Sequence, residues 1–396
     1  MDVGFCTRPM IRDSGSAHLT EYQLQNVLLN SRKLESSLWF AFLIQGLSGV
    51  VQIKGYIALR GLDYLNYQSA FTNGAVAAMF IVLNLENLIL GGHAARSAVL
   101  ICRGYQVVGM VSCVFDAIAG SAVPNPLSFC CWFASTRLCL ALGARQPANF
   151  GLVCTLGLLV AAGSLFFTLP WLLFGAFVAT LIAGWSTQLR LLALQDQGVR
   201  DVIKLSAFSF TRFLPHTVAG LFIGFLDRYL ALYFVDGQVG EQYLRALQLC
   251  GMSAFLIYPF VYHERNKLLK ASTSVDFIYL AGLALKTLAA LALAMAIVVS
   301  GMRAAGSLAD INVLLLVTLL GIVCAQLYQV LAPVNFVKER FNLMNAITVG
   351  SAISAIVIAW ILLSVSRSGL AIAAVLIAAW LCQVTATAWS LVRKTP

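Results

Sequence analysis

A run of 23 residues, Phe277–Val299, is apolar enough to cross a lipid bilayer except for one lysine near its middle. A helix needs about 20 apolar residues to span the hydrocarbon core. Lys286 lies about 13 Å along this run, so its stem has difficulty reaching the membrane surface. A charge at that depth costs roughly 2.5–3.5 kcal/mol and usually faces a polar interior. The pattern predicts a membrane protein with a hydrated or ion-paired interior, and it points to transport.

The overall composition agrees with a chain that lies mostly in lipid. Hydrophobic residues make up 60% of the sequence and charged residues 11%, well outside the range of soluble domains. The ten cysteines are scattered through apolar runs without metal-binding spacing, so we expect reduced thiols and neither a metal nor a cofactor. Residues 1–35 are polar and mixed, which predicts a cytoplasmic tail and no cleavable signal peptide.

Apolar windows divide the rest of the chain into twelve candidate membrane-spanning helices. They lie near residues 37–58, 68–90, 98–119, 127–142, 150–167, 169–187, 207–232, 243–262, 277–299, 311–334, 343–364 and 369–391. The fourth is the shortest and carries Arg137, but prolines bound it on both sides. The expected fold is an all-α integral membrane protein with about 12 transmembrane helices in two six-helix bundles around a central cavity.

The longest connection separates two groups of six spans. We therefore predict a cytoplasmic N-terminal tail over 1–35, a first six-helix bundle over 36–187, a cytoplasmic linker over 188–206 and a second bundle over 207–396. Such a division is typical of transporters built from two repeats. No connection is long enough to fold as a separate soluble domain.

Basic residues in the loops predict the orientation of the chain. When the N-terminus is placed in the cytoplasm, 17 Lys and Arg residues fall in or beside inner loops and three in outer loops. The outer three are Arg60, Arg303 and Arg367. This positive-inside bias predicts that both termini are cytoplasmic. It also accounts for the formal net charge of +10 without a nucleic-acid partner.

Six further cations lie inside the predicted spans: Lys54, Arg137, Arg212, Arg228, Arg245 and Lys286. For Lys54 and Arg137, which lie near span ends, snorkelling to the headgroups is an equally good interpretation. Only two acids, Glu86 and Asp227, lie comparably deep. An excess of intramembrane cations favours an anionic substrate such as a phosphate or diphosphate group. We therefore predict that the six side chains form a cationic substrate-binding cavity.

Span seven carries a polar stripe. At 100° per residue, five positions fall on one side of the helix: Arg212, His216, Ala219, Ile223 and Asp227. We expect this stripe to avoid lipid and to line the cavity. His216 fits either a buried imidazole bonded to a backbone carbonyl or a proton carrier. Together with Glu86 and Asp227 it is a candidate for ion coupling.

Span one has a polar face of its own, formed by Gln45, Ser48 and Gln52, with Lys54 on the opposite side. The amides fit hydrogen bonds between helices, and with span seven they also fit helices that line an aqueous cavity. The sequence lacks the GxSxG, Walker A and HExxH patterns of common enzymes. We therefore expect a protein that is not an enzyme.

Two segments resemble a known family. Span seven ends in Asp227 and Arg228, and after an apolar turn and a short loop Gly240 and Tyr243 open span eight. The segment Gly55–Tyr67, at the end of span one, carries leucines, a glycine and an acid before a tyrosine. Both segments are similar to the polysaccharide flippases of the multidrug/oligosaccharidyl-lipid/polysaccharide exporter superfamily, as are the twelve spans. The sequence departs from the family where two residues, rather than one, separate Gly240 from Tyr243.

The resemblance implies a flippase that moves an undecaprenyl-diphosphate-linked oligosaccharide across the bacterial inner membrane for O-antigen, capsule or exopolysaccharide synthesis. The cavity cations would hold the diphosphate and the sugar while the polyprenyl tail stays in lipid. The two bundles would rock about the cavity to give access to each side in turn. Expected partners are the lipid-linked oligosaccharide, membrane lipids, a polysaccharide polymerase and a chain-length regulator.

The sequence is also compatible with other functional classes of membrane protein. A MATE-like drug or metabolite antiporter of the same superfamily would use an acid-centred site, for which Glu86 and Asp227 are the candidates. A major-facilitator-type porter shares the twelve spans, but its usual acidic–arginine signature is absent from Gly91–Ser97. A non-transporting scaffold, a glycan ligase or a polymerase is a further possibility. A long external loop would favour the ligase or the polymerase, and the sequence has none.

Overall fold

The computed structural model describes residues 31–82, 85, 89, 95–143, 150–192, 198–270, 277–304, 312–337 and 341–392. Within these ranges the chain forms thirteen α-helices and no strand. In chain order they are α1 (Ser31–Ala58), α2 (Gly61–Val82), α3 (Ala95–Ile118), α4 (Pro126–Gly143), α5 (Phe150–Gly163), α6 (Leu169–Leu192), α7 (Val199–Tyr233), α8 (Gly237–Leu256), α9 (Tyr258–Lys270), α10 (Phe277–Ala304), α11 (Val313–Val337), α12 (Phe341–Val365) and α13 (Gly369–Val392).

The thirteen described helices correspond to the twelve predicted spans, because the eighth span is divided into α8 and α9. Ile257 leaves helical hydrogen bonding between them, and Pro259 follows in the first turn of α9, where a missing N–H is tolerated. The short fourth span is confirmed as α4. Asn125 caps this helix, since its Oδ1 accepts a hydrogen bond from the Ser128 N–H at 2.9 Å, and Pro126 takes the first helical position.

Several helices begin earlier than the hydropathy windows predict, α2 and α7 by the largest margins. α2 begins at Gly61 rather than near residue 68, and α7 begins at Val199 rather than near residue 207. Both extensions contain charged and polar residues, which lower the mean hydropathy without interrupting the helix. The predicted linker 188–206 is consequently helical at both ends, because α6 continues to Leu192.

Five of the described helices are long and apolar enough to cross a membrane by length and composition, namely α3, α10, α11, α12 and α13. Shorter apolar stretches lie in α4, α5 and α6. Large apolar side chains such as Phe166, Ile278 and Trp360 are strongly exposed on the outer surface. Contiguous exposure of this kind is rare in soluble monomers and is expected where lipid covers the surface. The chain is a multi-pass, all-helical membrane protein.

Helices α1 to α6 pack mainly on one another and form the first bundle. Its centre is α4, which contacts α1, α2, α3 and α6. The ring of Phe129 on α4 meets Tyr67 and Phe71 of α2 edge-on, at centroid distances of 5.8 and 5.5 Å. Gly74 permits this approach, because a Cβ there would lie 2.8 Å from the backbone nitrogen of Cys130. Small residues serve this purpose widely at helix contacts in membranes.

Helices α7 to α13 form the second bundle. Within it α13 packs along α11 and α12 and also reaches α7 and α8, while α9 packs on α11. Gly321 lets α13 approach α11, because a Cβ at that position would lie 2.7 Å from the Leu376 side chain. The predicted all-helical membrane fold is confirmed, and the helix contacts divide the described chain into these two groups. The boundaries of the N-terminal tail stay a prediction, since residues 1–30 lie outside the described part of the chain.

Candidate functional site

The two bundles meet along α1 and α2 on one side and α7 and α8 on the other, with a smaller contact between α3 and α7. We call this contact the seam. The described hydrogen bonds between side chains of the seam gather near one end of it, where α1 and α7 finish and α2 and α8 begin. This is called the α1–α2 end below, and it places residues from both bundles within one small volume.

Glu241 and Arg245, one turn apart on α8, hold the turn between α1 and α2 and are called the clamp. The Arg245 guanidinium donates hydrogen bonds to the carbonyl oxygens of Tyr56 and Leu59 at 2.8 and 2.7 Å, and to Glu241 Oε1 at 2.9 Å. Glu241 Oε2 accepts a hydrogen bond from the Gly61 N–H at 3.0 Å. Gly61 has a φ of +53°, which glycine adopts without steric cost. Carbonyl groups at the end of α1, which lack helical partners, are thus bonded by the other bundle.

A network of neutral side chains lies one turn deeper than the clamp. Gln248 of α8 accepts hydrogen bonds at Oε1 from the Tyr64 hydroxyl at 2.7 Å and from Gln68 Nε2 at 3.1 Å. Its own Nε2 donates to the carbonyl oxygen of Gln52 at 2.6 Å. Gln248, Tyr64 and Gln68 are buried, so these bonds replace water on both bundles at once.

A second set of hydrogen bonds joins α2 to α7. The Tyr229 hydroxyl donates to Asn73 Oδ1 at 2.9 Å, and Ser69 and Tyr233 share a hydrogen bond of 2.9 Å between their hydroxyls. The two tyrosine rings are stacked, with centroids 6.1 Å apart. These contacts close the side of the seam opposite to the clamp.

A small polar pocket lies between these sets of hydrogen bonds. Its walls include Gln52, Tyr67, Gln68, Arg228, Gln248 and Gly251. The Arg228 guanidinium lies over the rings of Phe71 and Phe225, at 5.8 and 5.3 Å from their centroids. The pocket volume of about 30 Å³ has room for one or two water molecules but not for a larger ligand. It combines a cation with hydrogen-bonding groups from both bundles.

A larger apolar crevice opens beside the pocket, between α1, α8 and α10, with a volume of about 520 Å³. The polar face predicted on span one lies on its wall, where Gln45, Ser48 and Gln52 are the main polar groups. Gln52 and Gly251 line both cavities, so the crevice and the pocket adjoin. Exposed residues on the crevice wall show that it opens to the surface: Ile53, Ile57, Leu256 and Ile297.

Lys286 lies on α10 and is exposed. It shares a face with Ile297, because eleven residues turn a helix by about 20° beyond three full turns. The two positions are about 16 Å apart along the helix. Lys286 therefore lies on the side of α10 that bounds the crevice, but nearer the opposite end of the seam.

Asp227 and Arg228 are neighbours in sequence but serve different bundles. Asp227 is buried in the second bundle, where its Oδ2 accepts a hydrogen bond of 2.6 Å from the Tyr243 hydroxyl. Its Oδ1 has no hydrogen-bond partner in the described part of the chain. Arg228 points towards the first bundle and contacts Phe71. The described structure shows no ion pair within 4.0 Å between the two.

The family-like residues at the start of span eight hold α7 and α8 together. A Cβ at Gly240 would collide with the carbonyl oxygen of Ala231, so only glycine allows this close approach. The Gly240 N–H also donates to the Asp236 carbonyl oxygen at 2.8 Å. Tyr243 then supplies the hydroxyl that bonds Asp227. These contacts make α7 and α8 a tight hairpin.

The described middle of the stripe on span seven packs into the second bundle rather than facing the space between bundles. Ala219 and Ile223 are buried against alanines of α12 and α13, whose small side chains allow close packing. His216 Nδ1 lies 2.9 Å from Thr348 Oγ1, and that hydroxyl also donates to the Met344 carbonyl oxygen at 2.9 Å. The imidazole thus has polar contacts with the Thr348 hydroxyl and with the Met344 backbone.

Of the six predicted cations, the five whose side chains the structure describes do not share one cavity. Arg228 lines the polar pocket, whereas Arg245 belongs to the clamp and is neutralised by Glu241 at 2.7 Å. Lys54 and Arg137 are half-buried on α1 and α4. Two predicted positions fall outside the described residues: the side chain of Arg212 and the whole of Glu86. Within the described residues no three His, Cys, Asp or Glu side chains form a group that could hold a metal ion.

Sequence reasoning did not single out several residues of the seam: Tyr64, Tyr67, Gln68, Glu241 and Gln248. A signal for them was present, since polar residues recur at helical spacing where α2 and α8 begin. Tyr64 and Gln68 are four apart, as are Glu241 and Arg245, and Gln248 follows three later. Hydropathy alone places these segments at the ends of spans. It gives no reason to expect that the beginnings of α2 and α8 contact each other.

No family model matches the chain, and no curated protein sequence does. Solved structures with some similarity to it are crystal structures of MATE transporters. The eukaryotic MATE transporter AtDTX14 gives a TM-score of 0.46 at 12% identity, covering 92% of this chain and 96% of that chain. MATE in complex with Br-NRF gives a TM-score of 0.42 at 16% identity, covering 91% and 93%. MATE in complex with MaL6 gives 0.38 at 13% identity, covering 91% and 96%.

Proposed function

We propose that this protein is a flippase that moves an undecaprenyl-diphosphate-linked oligosaccharide across the bacterial inner membrane for surface polysaccharide assembly. The observation that supports the proposal is the adjoining pair of cavities in the seam. One is apolar, about 520 Å³ in volume and open to the surface, and the other is polar and carries Arg228. A lipid-linked substrate needs both environments, because its chain favours apolar walls and its charged head favours a cation and hydrogen bonds.

The residues of the two cavities have distinct roles in this proposal. Arg228 binds the diphosphate, because a guanidinium offers several donors to phosphate oxygens. Gln68 and Gln248 exchange their mutual hydrogen bonds for bonds to polar groups of the substrate. Lys286 provides a second positive charge on the crevice side of α10. The apolar wall formed by α1, α8 and α10 accommodates the polyprenyl chain.

The size of the polar pocket implies that the bundles separate during transport. About 30 Å³ holds water but not a diphosphate, so α8 must move away from α1 and α2 before the head group enters. The excess of Lys and Arg in the loops opposite the α1–α2 end supports a periplasmic position for that end. The conformation described here is then closed towards the periplasm. A polysaccharide polymerase and a chain-length regulator would act on the product there.

A MATE-like antiporter is the second candidate, and Asp227 is the observation that favours it. This carboxyl group is buried, and its Oδ1 lacks a partner among the described residues. A buried carboxylate with one unbonded oxygen is costly unless it binds a proton or a cation. Exchange of such an ion for a drug or metabolite would use this group. The absence of a described pocket around Oδ1 makes it the weaker of the two proposals.

Reconstitution into liposomes distinguishes the two candidates. We expect the purified protein to expose a lipid-diphosphate-linked oligosaccharide to an external lectin, while a labelled phosphatidylcholine is not moved. Arg228→Ala should abolish this exposure, and Arg367→Ala, an exposed loop cation, should leave it unchanged. Uptake of a cationic dye driven by a proton or sodium gradient, with no movement of the lipid-linked glycan, would favour the antiporter instead.

Reporter fusions test the proposed orientation and location. Alkaline phosphatase fused after Gly120, Gly237 or Ala305 should be active, since we expect these positions on the periplasmic side. Green fluorescent protein fused after Gly198 or Pro396 should fluoresce, because both positions are expected in the cytoplasm. An active phosphatase after Gly198 would contradict the topology.

A further inference from the structure

Two tyrosines on α2, three residues apart, differ in how their hydroxyl groups are bonded. Tyr64 and Tyr67 both have 0% exposure. The Tyr64 hydroxyl donates to Gln248 at 2.7 Å and accepts from Gln68 at 3.0 Å. The Tyr67 hydroxyl has no hydrogen-bond partner in the part of the chain that the structure describes. A buried unpaired polar group is destabilising, so its presence calls for an explanation.

The tyrosine that carries the unpaired hydroxyl lines the polar pocket. Tyr67 lines the same small volume as Arg228, Gln68 and Gln248. Arg228 is close enough to interact electrostatically with the hydroxyl. The amides of the pocket are engaged with Tyr64 and with each other, whereas Tyr67 and Arg228 face it with hydrogen-bonding capacity to spare. The pocket therefore combines one neutral donor and one cation that bond no described protein acceptor.

The ring of Tyr67 is held firmly in this position. A Cβ at Gly55 would lie 2.7 Å from ring carbon Cε1, so the ring packs directly on the backbone of α1. Phe129 and Phe71 contact its other sides, with centroids 5.8 and 6.1 Å away. Side chains locked by packing in this way are pre-organised and lose little entropy when they bind a ligand.

We propose that the Tyr67 hydroxyl is a recognition group, which donates a hydrogen bond to a phosphate oxygen while Arg228 pairs with the charge. This inference rests on the proposed function, because it takes the head group to be a diphosphate. Phosphate oxygens accept several hydrogen bonds and favour charge-assisted ones, which matches a phenol beside a guanidinium.

The two tyrosines give a matched test, with thermal unfolding of the full-length protein in detergent as the measurement. Without ligand, Tyr67→Phe should unfold at the same temperature as wild type or higher, because an unpaired hydroxyl is removed. Tyr64→Phe should unfold at a lower temperature, because Gln248 and Gln68 lose their partner. A lower unfolding temperature for Tyr67→Phe, equal to that of Tyr64→Phe, would show a structural partner and overturn the inference.

Binding of undecaprenyl diphosphate supplies the second measurement. It should raise the unfolding temperature of wild type, and its affinity for Tyr67→Phe should be about tenfold weaker. Undecaprenol, which has no phosphate, should bind both proteins equally, and inorganic pyrophosphate should show the same Tyr67 dependence at lower affinity. Equal binding of undecaprenyl diphosphate to wild type and Tyr67→Phe would overturn the inference and leave the proposed function intact. If neither phosphate probe stabilises wild type, the proposed function itself is overturned, and the inference with it.

Discussion

The two ends of the seam are held together by different chemistry. At the α1–α2 end, Arg245 and Gln248 cross the seam with hydrogen bonds of 2.6–2.8 Å to main-chain oxygens. Towards the opposite end, the described contact between α2 and α7 is a ring pair, Phe80 and Phe210, with centroids 6.3 Å apart. Hydrogen bonds are directional and are either made or replaced by water. Apolar contacts are non-directional and tolerate sliding. We therefore expect a gate at the polar end and a pivot at the apolar end.

Locking the polar end should have the largest effect. A Cβ at Gly237 of α8 would lie 3.4 Å from the Leu65 side chain of α2, so cysteines at these positions are within reach of a short cross-linker. Leu65→Cys with Gly237→Cys, joined by a bis-methanethiosulfonate, should lose all transport, and reductant should restore it. Phe80→Cys with Phe210→Cys is the matched control at the pivot and should keep a measurable rate. Equal inhibition by both cross-links would remove the distinction between gate and pivot.

Weakening the clamp comes next. Arg245→Ala should lower the free energy of unfolding by roughly 3 kcal/mol, because Glu241 loses its ion-pair partner and the carbonyl oxygens of Tyr56 and Leu59 each lose a donor from the other bundle. Arg60 donates to the same carbonyl oxygens of Tyr56 and Leu59, at 2.8 and 3.1 Å, but from the first bundle itself. Arg60→Ala should therefore cost less than about 1 kcal/mol. Chemical denaturation in detergent measures both, and similar losses would show that bonding across the seam adds nothing.

A third test compares two adjacent residues, Arg228 in the seam and Asp227 inside the second bundle. Arg228→Gln should reduce transport at least tenfold with little change in stability, because Arg228 lines the pocket without an ion pair to Asp227. Asp227→Asn should instead destabilise the protein by about 1–2 kcal/mol, since the bond from Tyr243 loses its charged acceptor. Because the side chains serve different bundles, the double change should combine both defects. Recovery of transport in the double variant would indicate a structural ion pair and contradict this placement.

The smallest expected effect concerns whether water reaches Lys286 on α10, which lies towards the apolar end of the seam. Lys286→Cys should react with a charged methanethiosulfonate about tenfold faster than Leu285→Cys. Both side chains are exposed, but only position 286 lies on the face of α10 that bounds the crevice. Undecaprenyl diphosphate should slow the reaction at 286. Equal rates at the two positions would place Lys286 against lipid and limit the crevice to the region near Ile297.

Hydropathy was sufficient to predict where the spans lie in the sequence. It was not sufficient to predict which helices contact one another. The twelve spans, including the short α4, follow from the length of apolar runs, and the face of Gln45, Ser48 and Gln52 follows from helical spacing. The division of span eight at Ile257 was not predicted, because the residues on both sides keep an apolar pattern. Residue spacing also cannot say which neighbour a face meets, and so the His216 stripe was expected in the cavity rather than against α12.

Arg245 shows why charge in a sequence is a poor guide to binding. Its position in an apolar helix predicted a substrate-binding cation. Its hydrogen-bond acceptors are carbonyl oxygens 186 and 189 residues earlier in the chain. Every residue has such a carbonyl group, so the sequence does not indicate which ones Arg245 binds. Arg228 has the same side chain and a similar depth, yet it faces aromatic rings and an open pocket. Only the packing of the bundles distinguishes the two.

The close approach at Gly240 has a kinetic consequence. Because α7 and α8 move as one stiff hairpin, every group that the second bundle contributes to the gate is carried by a single body. The bonds must then break together, and opening becomes cooperative rather than stepwise. The barrier to opening is then the sum of the free energies of these bonds, and the opening rate depends exponentially on that sum. Each lost bond of about 1 kcal/mol would therefore speed opening roughly fivefold. An alanine at Gly240 would loosen the hairpin, let the bonds break one at a time and blunt that steep response.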